Sequence, residues 1–259
     1  DMTSESITTH FDFDSLHDTL VKLDILGHDD PTMLKMLTDL TGVDAKKVPL
    51  SDQKTMTLFS SLTALKLKKE QVMNSEVATF GVPEFGTKFV RGVLTLTRPT
   101  TMAELIRISG LSHGADVWKG NADILIKEGK ATLSEVISTR DDIMNTLVDY
   151  GVEPKLAFFT MERVRKGKGL TEEMGKAMVK AKLPLWFIES CKKITYMFPK
   201  AHAVAYVTMA LRIAYFKVHY PIAYYATYFT VRGEKFDASH AFEGVIGIRK
   251  AINEIEAKI

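Results

Sequence analysis

Phe198-Pro199-Lys200-Ala201-His202-Ala203-Val204-Ala205-Tyr206 opens a run that continues through Met209, Ile213 and Phe216 to His219-Tyr220-Pro221. Pro199 and Pro221 each sit where a first helical turn accepts a proline, so they bracket helices near 200–219 and 221–232. Tyr206, Met209, Ile213 and Phe216 recur at helical spacing, and of these Met209, Ile213 and Phe216 read as a core stripe. Ala201, Ala205, Thr208, Arg212, Tyr215 and His219 share another face, where alanines permit close approach. Outward from this run, helical spacing covers Ser51–Leu65, Thr101–Ser109, Leu133–Tyr150, Pro154–Lys166, Thr171–Ala181 and Pro184–Tyr196, with glycines in the breaks. Only the first thirty residues read differently. Thr8–Phe13 and Leu20–Leu26, closed by Gly27, have the pattern of strands. Between them Asp14 is placed to cap a short helical turn over Ser15–Thr19, and Asp30-Pro31 opens a helix over 31–41. The expected fold is mainly α: a small β/α corner followed by a large helical domain.

Of the 259 residues, 46% are hydrophobic and 25% charged, with a net charge of +2, which excludes bulk disorder. The single cysteine, Cys191, excludes an internal disulfide and a multi-thiolate zinc site and makes a reducing, cytoplasmic setting the default. The most apolar stretch, Ala201–Leu211, meets Arg212 well short of the roughly 20 residues a spanning helix needs. The opening Asp1-Met2-Thr3-Ser4-Glu5 has neither an initiator Met nor a secretory pattern, so the chain reads as an internal fragment. Charge is separated along it. Residues 1–30 carry eight acids against Lys22 alone, whereas 190–233 carry six bases, no acid and seven of the eight tyrosines. Metal at the first pole and phosphate or nucleic acid at the second is one reading; two solvated faces is the other.

Three constellations are candidates for chemistry. Asp24 stands in an apolar strand-like run, where a lone carboxylate is costly to bury. A divalent cation would compensate it, with Asp12 and Asp14 as co-ligand candidates, and so would an edge position or a pairing with Lys22. Arg163-Val164-Arg165-Lys166-Gly167-Lys168-Gly169 sets four cations at a helix end before two glycines, which suits phosphate and equally suits a helix C-terminus; Walker spacing is absent. Lys200 and His202 lie in a first helical turn, where free amides and the positive dipole end favour an anion and disfavour cations until one arrives. Tyr206 follows His202 at i+4, placed to stack on a base or ribose. Ser109–Asn121 reads as a polar, glycine-punctuated loop, in which His113 has no companions for zinc.

These segments together resemble the PolC-type DNA polymerase III alpha subunits of low-GC Gram-positive bacteria, from the end of the palm through the fingers, over nearly the whole chain. The motifs that carry the resemblance are Thr9-His10-Phe11-Asp12-Phe13, Leu23-Asp24-Ile25-Leu26-Gly27-His28-Asp29-Asp30-Pro31-Thr32, Ser109-Gly110-Leu111-Ser112-His113-Gly114, Val164-Arg165-Lys166-Gly167-Lys168-Gly169-Leu170-Thr171 and Met197-Phe198-Pro199-Lys200-Ala201-His202. The resemblance implies a palm edge at 1–45 and helical fingers at 46–259. It makes Asp24 the third metal-binding aspartate of the palm, catalytic through Mg²⁺, with the other two upstream in an Asp-x-Asp that Asp12-x-Asp14 does not supply. It assigns Lys200 and His202 to a dNTP triphosphate, with either as proton donor to the leaving pyrophosphate. Arg163, Arg165, Lys166 and Lys168 become a phosphate or template-backbone cluster, and Tyr206 and Phe198 part of the nucleotide pocket. Primer-template DNA and dNTP are the implied partners, with other replisome subunits bound through regions outside this chain and no membrane. Such a segment is expected to be inactive alone. The competing reading is a non-enzymatic helical nucleic-acid-binding module with a structural Asp24.

Overall fold

In the computed structural model, residues 5, 7–16, 19–21, 23, 27–233 and 238–257 are described. The fold is mainly helical. In chain order the helices are α1 (Phe13–Leu16), α2 (Asp30–Thr41), α3 (Gln53–Met56), α4 (Lys88–Thr97), α5 (Met102–His113), α6 (Asp123–Lys127), α7 (Arg140–Asp149), α8 (Pro154–Arg165), α9 (Glu172–Lys180), α10 (Leu185–Lys193), α11 (Lys200–His219), α12 (Pro221–Val231), α13 (Ala238–Phe242) and α14 (Gly244–Glu256). Among the described residues the sole β pairing is an isolated bridge between Ala115 and Tyr196, and no helix is long and apolar enough to cross a membrane.

Local chemistry sets the boundaries. Thr101 and Glu104 close a reciprocal cap on α5, with the Glu104 amide donating to Thr101 Oγ1 at 3.2 Å and the Thr101 amide to Glu104 Oε2 at 3.0 Å. Glu153 and Pro154 start α8, and Thr171 starts α9. The C-terminal half of α11 is buried nearly all round, because two cores meet on it. The larger gathers Leu94, Leu105, Ile108, Ile143, Leu147 and Phe187 around Val207, Leu211 and Ala214. The smaller joins Met33 and Leu37 of α2 to Ile213 and Phe216 of α11 and Tyr224 of α12. Ile213 and Phe216 are thus core as expected, and Met209 is half-buried.

Three stretches depart from the sequence reading. Ile7–Asp12 forms no strand and Phe11 is 63% exposed; a strand needs a neighbouring edge to satisfy its backbone, and the described residues offer none. The cap of the turn that follows comes from Asp12, whose Oδ1 accepts the Ser15 amide at 2.8 Å. The second expected strand, Leu20–Leu26, falls largely outside the described residues, as does Asp24. Residues 133–139 are not helical although Leu133, Val136 and Ile137 are buried. There Asp142 Oδ2 accepts the Ser138 and Thr139 amides, both at 2.9 Å, and this cap delays α7 until Arg140. Ser51–Leu65 breaks into α3 and single 3₁₀ turns. The Ser109–Asn121 loop is instead the end of α5 and a buried turn, with Trp118 inside and Asn121 Nδ2 donating to the Asp116 carbonyl at 2.9 Å.

Candidate functional site

The start of α11 is sutured to the start of α7. The Lys200 amide donates to Asp141 Oδ2 at 2.9 Å, and the Arg140 amide donates to the Phe198 carbonyl at 3.2 Å. Asp141 therefore supplies one anion to the helix end that carries Lys200, which relieves the charge conflict read from the sequence. From this corner a row of rings runs across the molecule. His113 stacks on Phe198 at 4.7 Å and 23°, and Phe198 meets His202 edge-on at 5.0 Å. His202 stacks on Tyr206 at 4.2 Å and 16°, and Tyr206 meets His28 edge-on at 4.9 Å. The i, i+4 spacing of His202 and Tyr206 places both on one face of α11, and Phe198 joins them from the strap ahead of the helix.

Both ends of the row reach the same cleft. At one end His113 pairs with Glu84. At the other, His28 Nδ1 lies 3.0 Å from Asp30 Oδ2, and Arg232 donates to Asp30 Oδ1 at 2.5 Å. Glu84, His113 and Arg232 all line a cleft of about 510 Å³ with Phe89, Ser112 and Tyr228. Asp30 is wholly buried; burial pushes its carboxyl up and the Arg232 guanidinium opposes that. Beneath the loop that forms the near wall, the buried Lys217 ammonium donates to the Ala78 carbonyl at 2.8 Å and to that of Phe80. Burial pulls this lysine down to about 8. Gly81 follows directly, and a Cβ there would sit 2.6 Å from the Tyr224 hydroxyl, so glycine is needed for the loop to pack this closely.

Lys200 and His202, expected to act together, point different ways, as residues two apart on a helix must. His202 belongs to the row, whereas Lys200 borders a second cleft of about 400 Å³ with Arg107, Asp142, Tyr150 and Trp186. The Lys200 ammonium has no acidic partner among the described residues.

The basic turn after α8 is largely occupied with itself. Arg163 donates to the carbonyls of Lys168 at 2.9 Å and Gly169 at 3.3 Å, closing the turn on its own backbone. Arg165 holds both carboxylate oxygens of Glu162, and Lys166 Nζ lies 3.2 Å from Glu162 Oε2. Arg165 and then Lys166 keep the Glu162 carboxyl below its ordinary value. Lys168 is exposed and has no acid within reach among the described residues. Gly167, at φ +68°, would bring a Cβ to 2.6 Å from the Thr195 carbonyl, so the close approach this glycine permits is to the chain itself. The Met197 amide donates to the Arg165 carbonyl at 3.3 Å, which ties this turn to the strap leading into α11.

The family model for the bacterial DNA polymerase III alpha subunit finger domain matches residues 30–183. The chain belongs to that finger family. It is 61% identical to the DNA polymerase III PolC-type of Caldanaerobacter subterraneus subsp. tengcongensis across 98% of its length, 58% identical to that of Thermotoga petrophila across 96%, and 57% identical to that of Staphylococcus saprophyticus across all of it. It spans about 18% of the length of each of these curated relatives. The PolC-type resemblance carried by the motifs is thereby borne out.

Within this finger segment, no group of three or more His, Cys, Asp or Glu side chains is arranged to hold a metal among the described residues. Asp12, one co-ligand candidate, is engaged as the α1 cap, and the Ser15 bonds hold its carboxyl below the usual value. Sequence reasoning missed the Asp30–Arg232 pair, the Glu84–His113 pair and Lys217. For Lys217 the signal was present: it is the one charged residue at core spacing between Ile213 and Val218. For the two pairs there was none, since their members are far apart in the chain.

Proposed function

We propose that this chain forms the fingers and adjoining palm edge of a replicative DNA-directed DNA polymerase of the cytoplasm, where it holds incoming dNTP and primer-template for nucleotidyl transfer. The observation that carries the reading is the ring row in a finger-family chain, which reaches one cleft through His113 at one end and through the Asp30–Arg232 pair at the other. In this reading the base enters the cleft, between apolar Phe89 and Tyr228 and the polar ends at His113 and Arg232, while Phe198, His202 and Tyr206 stiffen the row behind His113. Lys200, whose ammonium lacks an acid, meets the triphosphate with the α11 end, while His202 stays in the ring row. Of the two donors expected for the leaving pyrophosphate, the unpaired Lys200 is the one this geometry favours. Lys168 grips DNA backbone, while Arg163, Arg165 and Lys166 hold the turn that presents it.

Asp24 is the ligand this chain contributes to Mg²⁺, and the metal would supply Lewis-acid activation of the primer hydroxyl and the phosphates. The remaining ligands, and contacts to other replisome subunits, come from elsewhere in the polymerase. The packing of α2 on α11 and α12 supports placing the palm–fingers boundary near residue 30, ahead of the expected position at 45. No separate observation favours a non-enzymatic helical module.

The test is single-nucleotide incorporation by a PolC-type polymerase carrying this sequence. Asp24→Asn should abolish incorporation while primer-template binding persists, and His202→Ala should raise KM for dNTP. Incorporation near wild type at saturating Mg²⁺ and dNTP with Asp24→Asn would overturn the catalytic assignment.

A further inference from the structure

Asp30 is a costly group to bury. Its carboxylate is wholly buried at the start of α2, one oxygen is held by Arg232 at 2.5 Å, and the other has no hydrogen bond while His28 Nδ1 accepts the Asp30 amide at 3.3 Å. Arg232 is in the same condition: its Nε is buried without a hydrogen bond, 3.9 Å from Asp29 Oδ2. Replacing a buried ion pair by apolar side chains is often neutral or stabilising, so a pair of this kind is better explained by what it registers than by what it stabilises. What it registers is visible in the fold. Arg232 ends α12 and lines the cleft, Asp30 begins α2, and His28, four residues after Asp24, bridges Asp30 Oδ2 and the ring of Tyr206.

We propose that Asp30, Arg232 and His28 form a latch that sets the start of α2 against the ring row, and that His28 is a positioning residue for incorporation. The proposal rests on the nucleotide reading given above. Through His113 the row borders the cleft proposed for the nucleotide; through His28 and Asp30 it is fixed to the start of α2, which follows Asp24 in the sequence. The charged groups around the latch are Asp29 on the same segment, Glu84 across the cleft and Arg232 on α12. Loss of the latch leaves nucleotide contacts in place and loosens their register to the reacting centre, which lowers kcat with KM little changed.

The experiment uses the full PolC-type polymerase with this sequence and two variants. His28→Phe keeps a ring against Tyr206 and removes Nδ1. Asp30→Asn keeps the shape of the pair and leaves Arg232 in place, a quarter exposed and 3.9 Å from Asp29 Oδ2, so no unpaired buried charge is created and folding is preserved. Both should lower kcat about tenfold with KM for dNTP within about twofold, equivalent to a barrier rise near one tenfold step. Both should also speed amide hydrogen exchange at 27–33 and at 200–207 together. Exchange that rises only at 27–33, or kcat unchanged in both variants, overturns the latch. A rise in KM alone overturns it too, since His28 would then touch the nucleotide. Lys200→Ala, run in parallel, tests the nucleotide placement separately. If it leaves KM unchanged while His28→Phe lowers kcat and loosens both segments, the latch stands and the placement falls.

Discussion

Two basic regions of the chain look alike as sequence and differ as structure. The turn after α8 packs four cations into six residues, and the start of α11 has only Lys200 and His202. Yet in the first region Glu162 takes Arg165 and Lys166, the backbone takes Arg163, and only Lys168 is left without a partner among the described residues. At α11 the carboxylate of Asp141 takes a backbone amide and leaves the Lys200 ammonium unpaired. Charge density in a sequence therefore does not measure charge available to a ligand; the nearest acid decides, and it is found only in the fold.

The comparison breaks most visibly at the glycines of the turn. Gly167→Ala meets the Thr195 carbonyl at 2.6 Å and a left-handed backbone, whereas Gly169 at φ +60° has open space around it. Gly167→Ala should cost about 2–4 kcal/mol of stability, and Gly169→Ala about 1 kcal/mol, read by urea unfolding of the chain. Equal costs would mean that the turn is not packed on the strap into α11.

On the cleft side the corresponding structural cation is Lys217. Lys217→Met leaves the Ala78 and Phe80 carbonyls unpaired, at a cost of about 1–2 kcal/mol near neutral pH. The folded value of about 8 lies below the ordinary 10.5, so between these pH values the unfolded chain binds more protons and wild-type stability rises with pH. The gap between wild type and Lys217→Met should widen from pH 7.5 to 9.5. A gap that narrows would show that the ammonium form is favoured by burial here, against this account.

The helices bounded by their own signals were legible in the sequence. Pro31, Pro154, Thr171 and the pair Pro199 and Pro221 each marked a start that the structure has, because caps and prolines act within one turn. Stretches settled by distant contacts were not. Residues 133–139 have helical spacing but follow the Asp142 cap, and α4, which the sequence reading passed over, begins at Thr87, whose hydroxyl accepts the Val90 amide. Of the candidate site, His202 and Tyr206 could be aligned from i+4 spacing alone, whereas Phe198 precedes the helix and joins the row only in the fold. That His28 and His113 extend their row, and that Arg232 reaches Asp30, depends on pairings across most of the chain.

A smaller effect sharpens the contrast within the turn itself. Lys168→Ala should weaken primer-template binding and reduce the slope of log affinity against log salt by about one phosphate contact, whereas Lys166→Ala, already paired with Glu162, should change it less. DNA titrations at several salt concentrations read both. A larger slope change for Lys166→Ala would mean that Glu162 releases it when DNA binds.

The central claim is that nucleotide charge is met at the start of α11 and not at the turn after α8. Its most direct test is steady-state single-nucleotide incorporation over a range of dNTP at saturating primer-template, with Lys200→Ala and Lys168→Ala compared in the same polymerase. Lys200→Ala should raise KM for dNTP and lower kcat, reducing kcat/KM by at least about tenfold, or about 1.4 kcal/mol, while Lys168→Ala stays within about twofold of wild type. The reverse pattern, with the dNTP defect in Lys168→Ala and none in Lys200→Ala, would place the triphosphate against the glycine turn and contradict the account.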